Sequence, residues 1–423
     1  MLKNKKLLTI VLLFALMAML VPVASTTAQD EVTIEWMQWW GGSSQEGAIE
    51  QLIADFEAEY PNIHVKPIDL PFGEVRNQVI LNAAAGQLPD VIGMNPPWLA
   101  EFVALGVLEP LDEYIANQEN FEVDSLLAAP MAPYQGSTWM LPATSSTFLL
   151  FYNKTLFEQA GLDGLPQNWA ELRDYARQCT DADHDIYGFT LFMNEQPPAN
   201  GSIVITYPLI YAAGGRTIVD GKPSVEDPAV LKAVQLLKDL TDDGSVIPGT
   251  TSKLEVQMVE EFSAGNICMM IENTGHVGTL ANRNPDLDYG VIPIPPYDSE
   301  TTPALRSHGW ELAMSATSKH KQEAWTFMNW LVSAGPDSKL AQLSSNIPGN
   351  MAADVSFFKD SPQLTASIDY IAHGTLVEEL MVTPQATAHW TAFTTETIKM
   401  LLGEQSPEDV IKNTQQAWDD LDG

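Results

Sequence analysis

The chain has 423 residues, too many for one ordinary core, and two domains are the default. Hydrophobic residues make up 45% of it, which sets aside a disordered chain. The formal charge of −34 repels nucleic acid and anionic membrane surfaces, and suits a soluble protein outside the cytoplasm.

Residues 1–28 read as an export signal. Lys3, Lys5 and Lys6 precede the apolar run Leu7–Leu20, Pro22 breaks it, and Thr26-Thr27-Ala28 offers small residues for cleavage. A membrane anchor needs roughly 20 apolar residues. No Cys lies near the cut, so a lipid anchor is not expected. The two cysteines are Cys179 and Cys268. An exported compartment permits a bridge, but Ile267–Ile271 reads as a buried strand, where a free thiol is common. The expectation is therefore a free Cys268.

Val32–Trp36 alternates as a strand and runs into a loop with Trp39, Trp40 and small Ser43 and Ser44, either of which can cap the next helix. Ile49, Leu52, Ile53 and Phe56 give that helix one apolar face. Ile63–Ile68 is a second strand, Val75–Ala84 a second helix closed by Gly86, and Asp90–Met94 a third strand. This β-α-β-α-β order predicts a parallel sheet with right-handed crossovers. Ligands of such sheets bind at the carboxyl ends of the strands, where Trp39-Trp40 and Asn95–Trp98 fall.

Leu141–Lys154 opens with Pro142 and the hydroxyl run Thr144–Thr147, read as a crossover loop. It becomes the buried strand Phe148–Tyr152 and then a short helix ending at Gly161. Further on come a helix over Trp169–Cys179, a strand over Tyr187–Phe192, a helix over Tyr207–Ala213, and an amphipathic helix over Pro228–Leu240. Another helix, Val256–Phe262, leads into the strand ending at Glu272-Asn273. Val291–Pro296 is placed to cross back to the first lobe. His308–Met314 reads as one strand, Gln322–Ser333 as a strongly apolar helix, and Pro407–Leu421 as an acidic one.

Several ordered pieces resemble the extracellular solute-binding proteins, family 1: the maltose-binding-protein-like sugar-binding components of ABC importers. They are Leu88–Val91 with Gly106–Asp112, Leu150–Gly161, Tyr207–Gly215, Phe262–Asn266 and Gly309–Ala313. The resemblance implies an α/β fold of two discontinuous lobes joined by a hinge, the type II periplasmic-binding-protein fold. The lobes are expected over residues 29–142 with 297–345, and 143–296 with 346–423. It also implies a monomer that closes on a carbohydrate, passes it to a membrane-embedded permease, needs no cofactor and catalyses nothing.

A neutral sugar needs aromatic faces for its C–H surfaces and polar side chains for its hydroxyls. On this basis the expected contacts are Trp39, Trp40, Ser43, Glu46, Asn95 and Trp98 on the first lobe. Ser145, Ser146, Tyr207, Glu272, Asn273, His276, Trp310 and Trp390 complete the set. Ser145 and Ser146 stand where the maltose-binding relative has an acid, and Gly275-His276 stands near a Trp position of the family. Trp169, Trp325, Trp330 and Trp418 sit at helix spacing and read as core.

Asp181, Asp183 and Asp185 have the D-x-D-x-D spacing of a calcium loop, but Ile186 and Phe192 replace its Gly and closing Glu, so a solvated acidic loop is the better reading. No His-Glu-x-x-His or Gly-x-Ser-x-Gly is present, and adjacent acids such as Glu260-Glu261 are too common here to mark a glycosidase. A cationic ligand such as a polyamine is the alternative suggested by the charge, with Glu46 and Glu272 as the cleft acids it would use.

Overall fold

A computed structural model describes residues 31–119, 121, 123–196 and 199–423. The expected export signal lies outside these residues. Among them, no helix is long and apolar enough to cross a membrane.

The first lobe is built on β1 (Val32–Gln38), β2 (Ile63–Asp69), β3 (Val91–Met94) and β4 (Leu141–Pro142). The second begins with the long β5 (Thr144–Asn153), followed by β6 (Tyr187–Thr190) and a small hairpin, β7 (Ile218–Val219) and β8 (Lys222–Pro223). It continues through β9 (Ile267–Asn273), β10 (Tyr289–Ile292) and β11 (Leu305–His308). The chain then returns to the first lobe as β12 (Glu311–Met314), before β13 (Ile347–Pro348) and β14 (Leu376–Val377).

The five-stranded sheet of the first lobe has the order β2-β1-β3-β12-β4. β1 pairs in parallel with both β2 and β3, as the β-α-β-α-β reading requires. Its inward residues Ile34 and Trp36 are fully buried, while the helix Ala48–Glu59 contributes Leu52 and Phe56 from one face. That helix starts at Gly47, with φ +78°, and neither Ser43 nor Ser44 caps it. The loop instead turns through a short 3-10 segment, Trp40–Ser43.

β5 is the axis of the seven-stranded sheet, pairing with β9, β10, β11 and β13. It begins at Thr144, so the hydroxyl run is strand and not loop. Ser145 pairs with Ile347 and Ser146 with His308, both inside the sheet. Short hydroxyl side chains look like turn formers, but backbone pairing to neighbours holds them extended.

The four helical tryptophans read as core are buried, and each N–H is satisfied. Trp169 donates to the Pro295 carbonyl (2.8 Å), Trp325 to Gln118 (3.0 Å), Trp330 to Glu59 (3.0 Å) and Trp418 to the His389 carbonyl (2.8 Å). A buried indole that finds its acceptor contributes area without an unmet donor.

Cys179 and Cys268 form a disulfide, against the expectation of a free thiol. The strand around Cys268 is buried as expected. The helix ending at Cys179 packs on that strand and brings the two Cα atoms to 6.4 Å, within bridging reach.

The chain passes from one sheet to the other at Ala143, between β4 and β5, and returns between β11 and β12. Because β11 pairs with β5, the return lies at Gly309-Trp310 and not near 297. It also splits the single strand expected over 308–314. A third passage, at Ser345-Asn346, leads from the helix Ala334–Ser344 to β13, which pairs with β5. The first two passages are bonded together: Ala143 N and Thr144 N donate to the Trp310 carbonyl (2.8 and 3.0 Å), and Trp310 N donates to Thr144 Oγ1 (3.0 Å). A Cβ on Gly309 would stand 2.3 Å from the Thr144 carbonyl oxygen. Gly309→Ala must therefore push the passages apart, and is expected to cost about 1–3 kcal/mol of stability. Thermal unfolding beside the wild type checks this, and an unchanged midpoint would contradict it.

Candidate functional site

A cavity of about 430 Å³ lies between the sheets, within the range that ligand sites occupy. A larger hollow of about 840 Å³, between Trp169 and Tyr297, is lined by helices and loops of the second lobe alone. The inter-sheet cavity takes walls from both lobes and is where strand ends converge.

Its first-lobe wall follows the carboxyl ends of the parallel strands. Trp39 comes directly after β1, Phe72 and Gly73 open the helix after β2, and Asn95 follows β3. Trp39 is held edge-on by Phe72 (5.2 Å), Trp98 (5.6 Å), Trp40 (6.3 Å) and Trp310 (6.5 Å). Behind it Trp40 stacks on Trp310 at 5.1 Å, and Phe72 stacks on Trp98 at 5.5 Å. These supports leave the Trp39 ring little rotational freedom.

The facing wall belongs to the second lobe. Phe148 projects from β5, and Arg306 and His308 from β11. Asn200, Ile203 and Val204 lie on the run into the helix Tyr207–Ala212, where the turn widens to π geometry over Ser202–Thr206. Leu254, Glu255 and Val256 start the helix Glu255–Ser263, and Asn273 and His276 follow β9. Leu254 and Val256 are large apolar residues left exposed at this rim, 37% and 48%.

Of the residues expected to touch ligand, Trp39, Asn95, Asn273 and His276 line the cavity. The others stand elsewhere, for identifiable reasons. Trp40, Trp98 and Trp310 form the stack behind Trp39. Ser145 and Ser146 are enclosed by strand pairing. Tyr207 is fully buried among Tyr211 and Phe393, and Trp390 lies in the helix Ala386–Leu401, its carbonyl accepting from Ser202 Oγ at 2.9 Å. Glu46 is exposed in the turn before Gly47, away from the cavity. Ser43 lies in the 3-10 segment Trp40–Ser43. Glu272 is fully buried, reaching the site through its neighbours.

The calcium spacing does not assemble. Asp181 pairs with His184 (2.7 Å), and Asp185 is a left-handed cap whose carbonyl accepts from Asn266 (3.0 Å). The described residues that do bring three metal-ligand-type atoms together, within 4.8 Å, are Glu255, Glu272 and His276.

Glu272 Oε1 accepts from Asn273 N (2.6 Å) and Nδ2 (2.7 Å), and lies 3.2 Å from His276 Nδ1. Glu272 Oε2 has no protein partner. Glu255 Oε2 accepts from Asn200 Nδ2 at 2.8 Å. Burial, then the charge of Glu272, pushes the Glu255 carboxyl up to about 7, against the pull of His276, Asn200 and Arg306. Burial also lowers His276, but its pairing with Glu272 and the charge of Glu255 outweigh this and raise it to about 9. Across the cavity, burial, then Arg306 and His276, holds His308 down at about 3, so it stays neutral. Arg306 is paired with Glu378 (3.2 Å) and lies 4.7 Å over the Phe148 ring.

The raised His276 has a defined stability signature. Its ordinary value is 6.5 and its folded value about 9, so its contribution is complete below pH 6.5 and lost as pH rises through 9. The unfolding midpoint should fall over pH 6.5–9.5 in the wild type, and less steeply in His276→Gln. Parallel profiles would show that the pair contributes nothing.

Among the described residues, three buried polar atoms of the lining lack a hydrogen-bond partner: Asn95 Oδ1, Arg306 Nε and His308 Nδ1. Unmet groups at a cavity lined from both lobes fit a site for a polar ligand or its water.

The model of the bacterial extracellular solute-binding proteins matches residues 42–337. The chain belongs to that family.

Among its relatives is a Brucella abortus binding protein, 29% identical over 321 residues, 75% of this chain and 76% of that one. The sn-glycerol-3-phosphate-binding periplasmic protein of Rhizobium meliloti is 26% identical, over 75% of this chain and 76% of its own. A Thermotoga lettingae solute-binding protein solved with α-D-tagatose superposes with a TM-score of 0.80 at 24% identity. It covers 94% of this chain and all of its own. At such identity the solved structure establishes the fold: two open α/β lobes of the type II periplasmic kind. In a solute-binding protein of this fold, a cavity between the lobes is where closure can bury a ligand.

Proposed function

We propose that the chain is the extracytoplasmic substrate-binding component of an ABC importer, taking a carbohydrate, most simply an oligosaccharide, into the inter-lobe cavity. The observation that carries the reading is the wall itself. Aromatic rings from both lobes (Trp39, Phe72 and Phe148) share it with amides from both (Asn95, Asn200 and Asn273). Rings cover the C–H faces of a pyranose, while amides donate to and accept from its hydroxyls. Similarity to a maltotriose-binding protein of Pyrococcus abyssi, 24% identical over 66% of this chain and 58% of its own, points the same way.

Ligand contacts in both lobes favour the closed form by differential affinity, and the Ala143, Gly309-Trp310 and Ser345-Asn346 passages are the hinge. A membrane permease then reads the closed form. The chain works as a monomer outside the cytoplasm, residues 1–28 serving as its export signal, with no nucleic acid partner. The reading as a carbohydrate hydrolase is weaker. Glycosidase carboxylates flank the scissile bond, whereas Glu255 and Glu272 share one wall.

A thermal-shift screen over mono- and oligosaccharides, glycerol phosphate and polyamines tests the proposal. A ligand at 100 times its Kd stabilises by about 2.7 kcal/mol, enough to move the midpoint visibly. A rise with at least one sugar is expected. Shifts with glycerol phosphate or polyamines and none with any sugar would overturn it.

A further inference from the structure

The second-lobe wall carries more negative charge than a neutral sugar needs. Glu255, Glu272 and His276 bring their polar atoms within 4.8 Å of one another. His276 is paired to Glu272 at 3.2 Å and offsets one carboxylate. Among the described residues, Glu255 accepts from the Asn200 amide, a neutral donor, at 2.8 Å. Glu272 is fully buried, and among the described residues the oxygen left over from its bonds to Asn273 and His276 has no hydrogen-bond partner. The His276 imidazolium offsets the Glu272 carboxylate, and Glu255, its carboxyl pushed up to about 7, is a second acid that an arriving positive charge would ionise. Hydroxyl groups would bond its oxygens without drawing on that charge.

We propose that Glu255, backed by the buried Glu272–His276 pair, forms a subsite for a protonated amino group carried by the carbohydrate, so that the ligand is an amino sugar. The inference rests on the carbohydrate reading above and names the substrate class. An ammonium group offers several strong donors and bonds a carboxylate at charge-assisted distances. The aromatic rings of the same cavity, Trp39 and Phe148, suit the sugar ring to which it is attached. A metal ion would have to displace the proton that the Glu272 charge favours on His276, and it is an outcome of the test below. A bare polyamine can set its cations on the rings but offers the amide N–H groups of the wall no acceptor.

The test is calorimetric titration at pH 7 with three oligosaccharides of equal length: N-deacetylated, N-acetylated and lacking nitrogen. Putrescine, spermidine, zinc and calcium are titrated separately. The amine is expected to bind at least about tenfold tighter than either sugar counterpart, as a charge-assisted hydrogen bond implies. In Glu255→Gln the ratio of amine to N-acetyl affinity should fall to near one. The wild-type comparison stands alone if that variant folds poorly.

Equal affinities for all three sugars would overturn the subsite and leave the carbohydrate reading in place. Metal binding at the cluster without amine preference would overturn it as well. So would polyamine binding that matches the amino sugar. No binding of any sugar would remove both readings.

Discussion

Replacing Cys179 and Cys268 together with alanine is expected to lower the stability of the second lobe by about 4–5 kcal/mol. The bridge closes a loop of 89 residues, and the entropy of closing a loop that long is worth about this much in the unfolded chain. Each sulfur is also buried, at 5% and 0% exposure, so the truncated side chains leave small voids. The bridge ties the helix Trp169–Cys179 to β9, the strand that ends in Glu272 and Asn273. Its loss should therefore loosen the second-lobe wall of the cavity before the first lobe unfolds. Thermal unfolding with and without reductant checks it. The second-lobe transition should drop by roughly 10 °C or more, and an unchanged transition would show that packing alone holds β9.

Trp39→Ala should weaken binding of the cleft ligand by about 2 kcal/mol or more, some 30-fold, the scale of a tryptophan at the centre of a binding surface. The ring is 7% exposed and held at its edges by four other aromatic residues, so a ligand meets a face that is already oriented. Truncation also removes core packing, so affinity must be measured where the variant is folded. Trp390→Phe is the control. That side chain is buried and does not line the cavity, and its replacement should lower the unfolding midpoint while changing affinity less than about threefold. Equal losses of affinity in both variants would mean that Trp39 acts only through stability.

The first-lobe wall was legible because its residues sit where a local rule puts them. Strand, helix and strand could be read from alternation and helical spacing, and Trp39 and Asn95 follow from the ends of β1 and β3. The second-lobe wall obeys no such rule. Glu255 starts a helix, Arg306 and His308 lie in a four-residue strand, and Phe148 lies in β5. Only tertiary pairing brings them to one surface. In so acidic a chain nothing local distinguishes Glu255 from Glu260 or Glu261.

The aromatic candidates divide in the same way. Composition suggested that loop tryptophans meet ligand, yet Trp40 and Trp310, stacked on each other, and Trp98, stacked on Phe72, hold Trp39 at its edges. Adjacent residues after a strand cannot both face the cleft, and the sequence does not say which one turns inward. The hydroxyl run Thr144–Thr147 failed for another reason. Small polar residues resemble a loop unless their strand is paired, and here the partners arrive more than 120 residues later, in β11 and β13.

The central claim is that a carbohydrate binds between the lobes and draws them together. Small-angle X-ray scattering of the purified chain, with and without the sugar that raises its unfolding midpoint most, tests it directly. The radius of gyration should fall on saturation in the wild type, and Trp39→Ala should need about 30-fold more sugar for the same change. A sugar that stabilises the chain while leaving its dimensions unchanged, or that binds equally well without Trp39, would contradict the account.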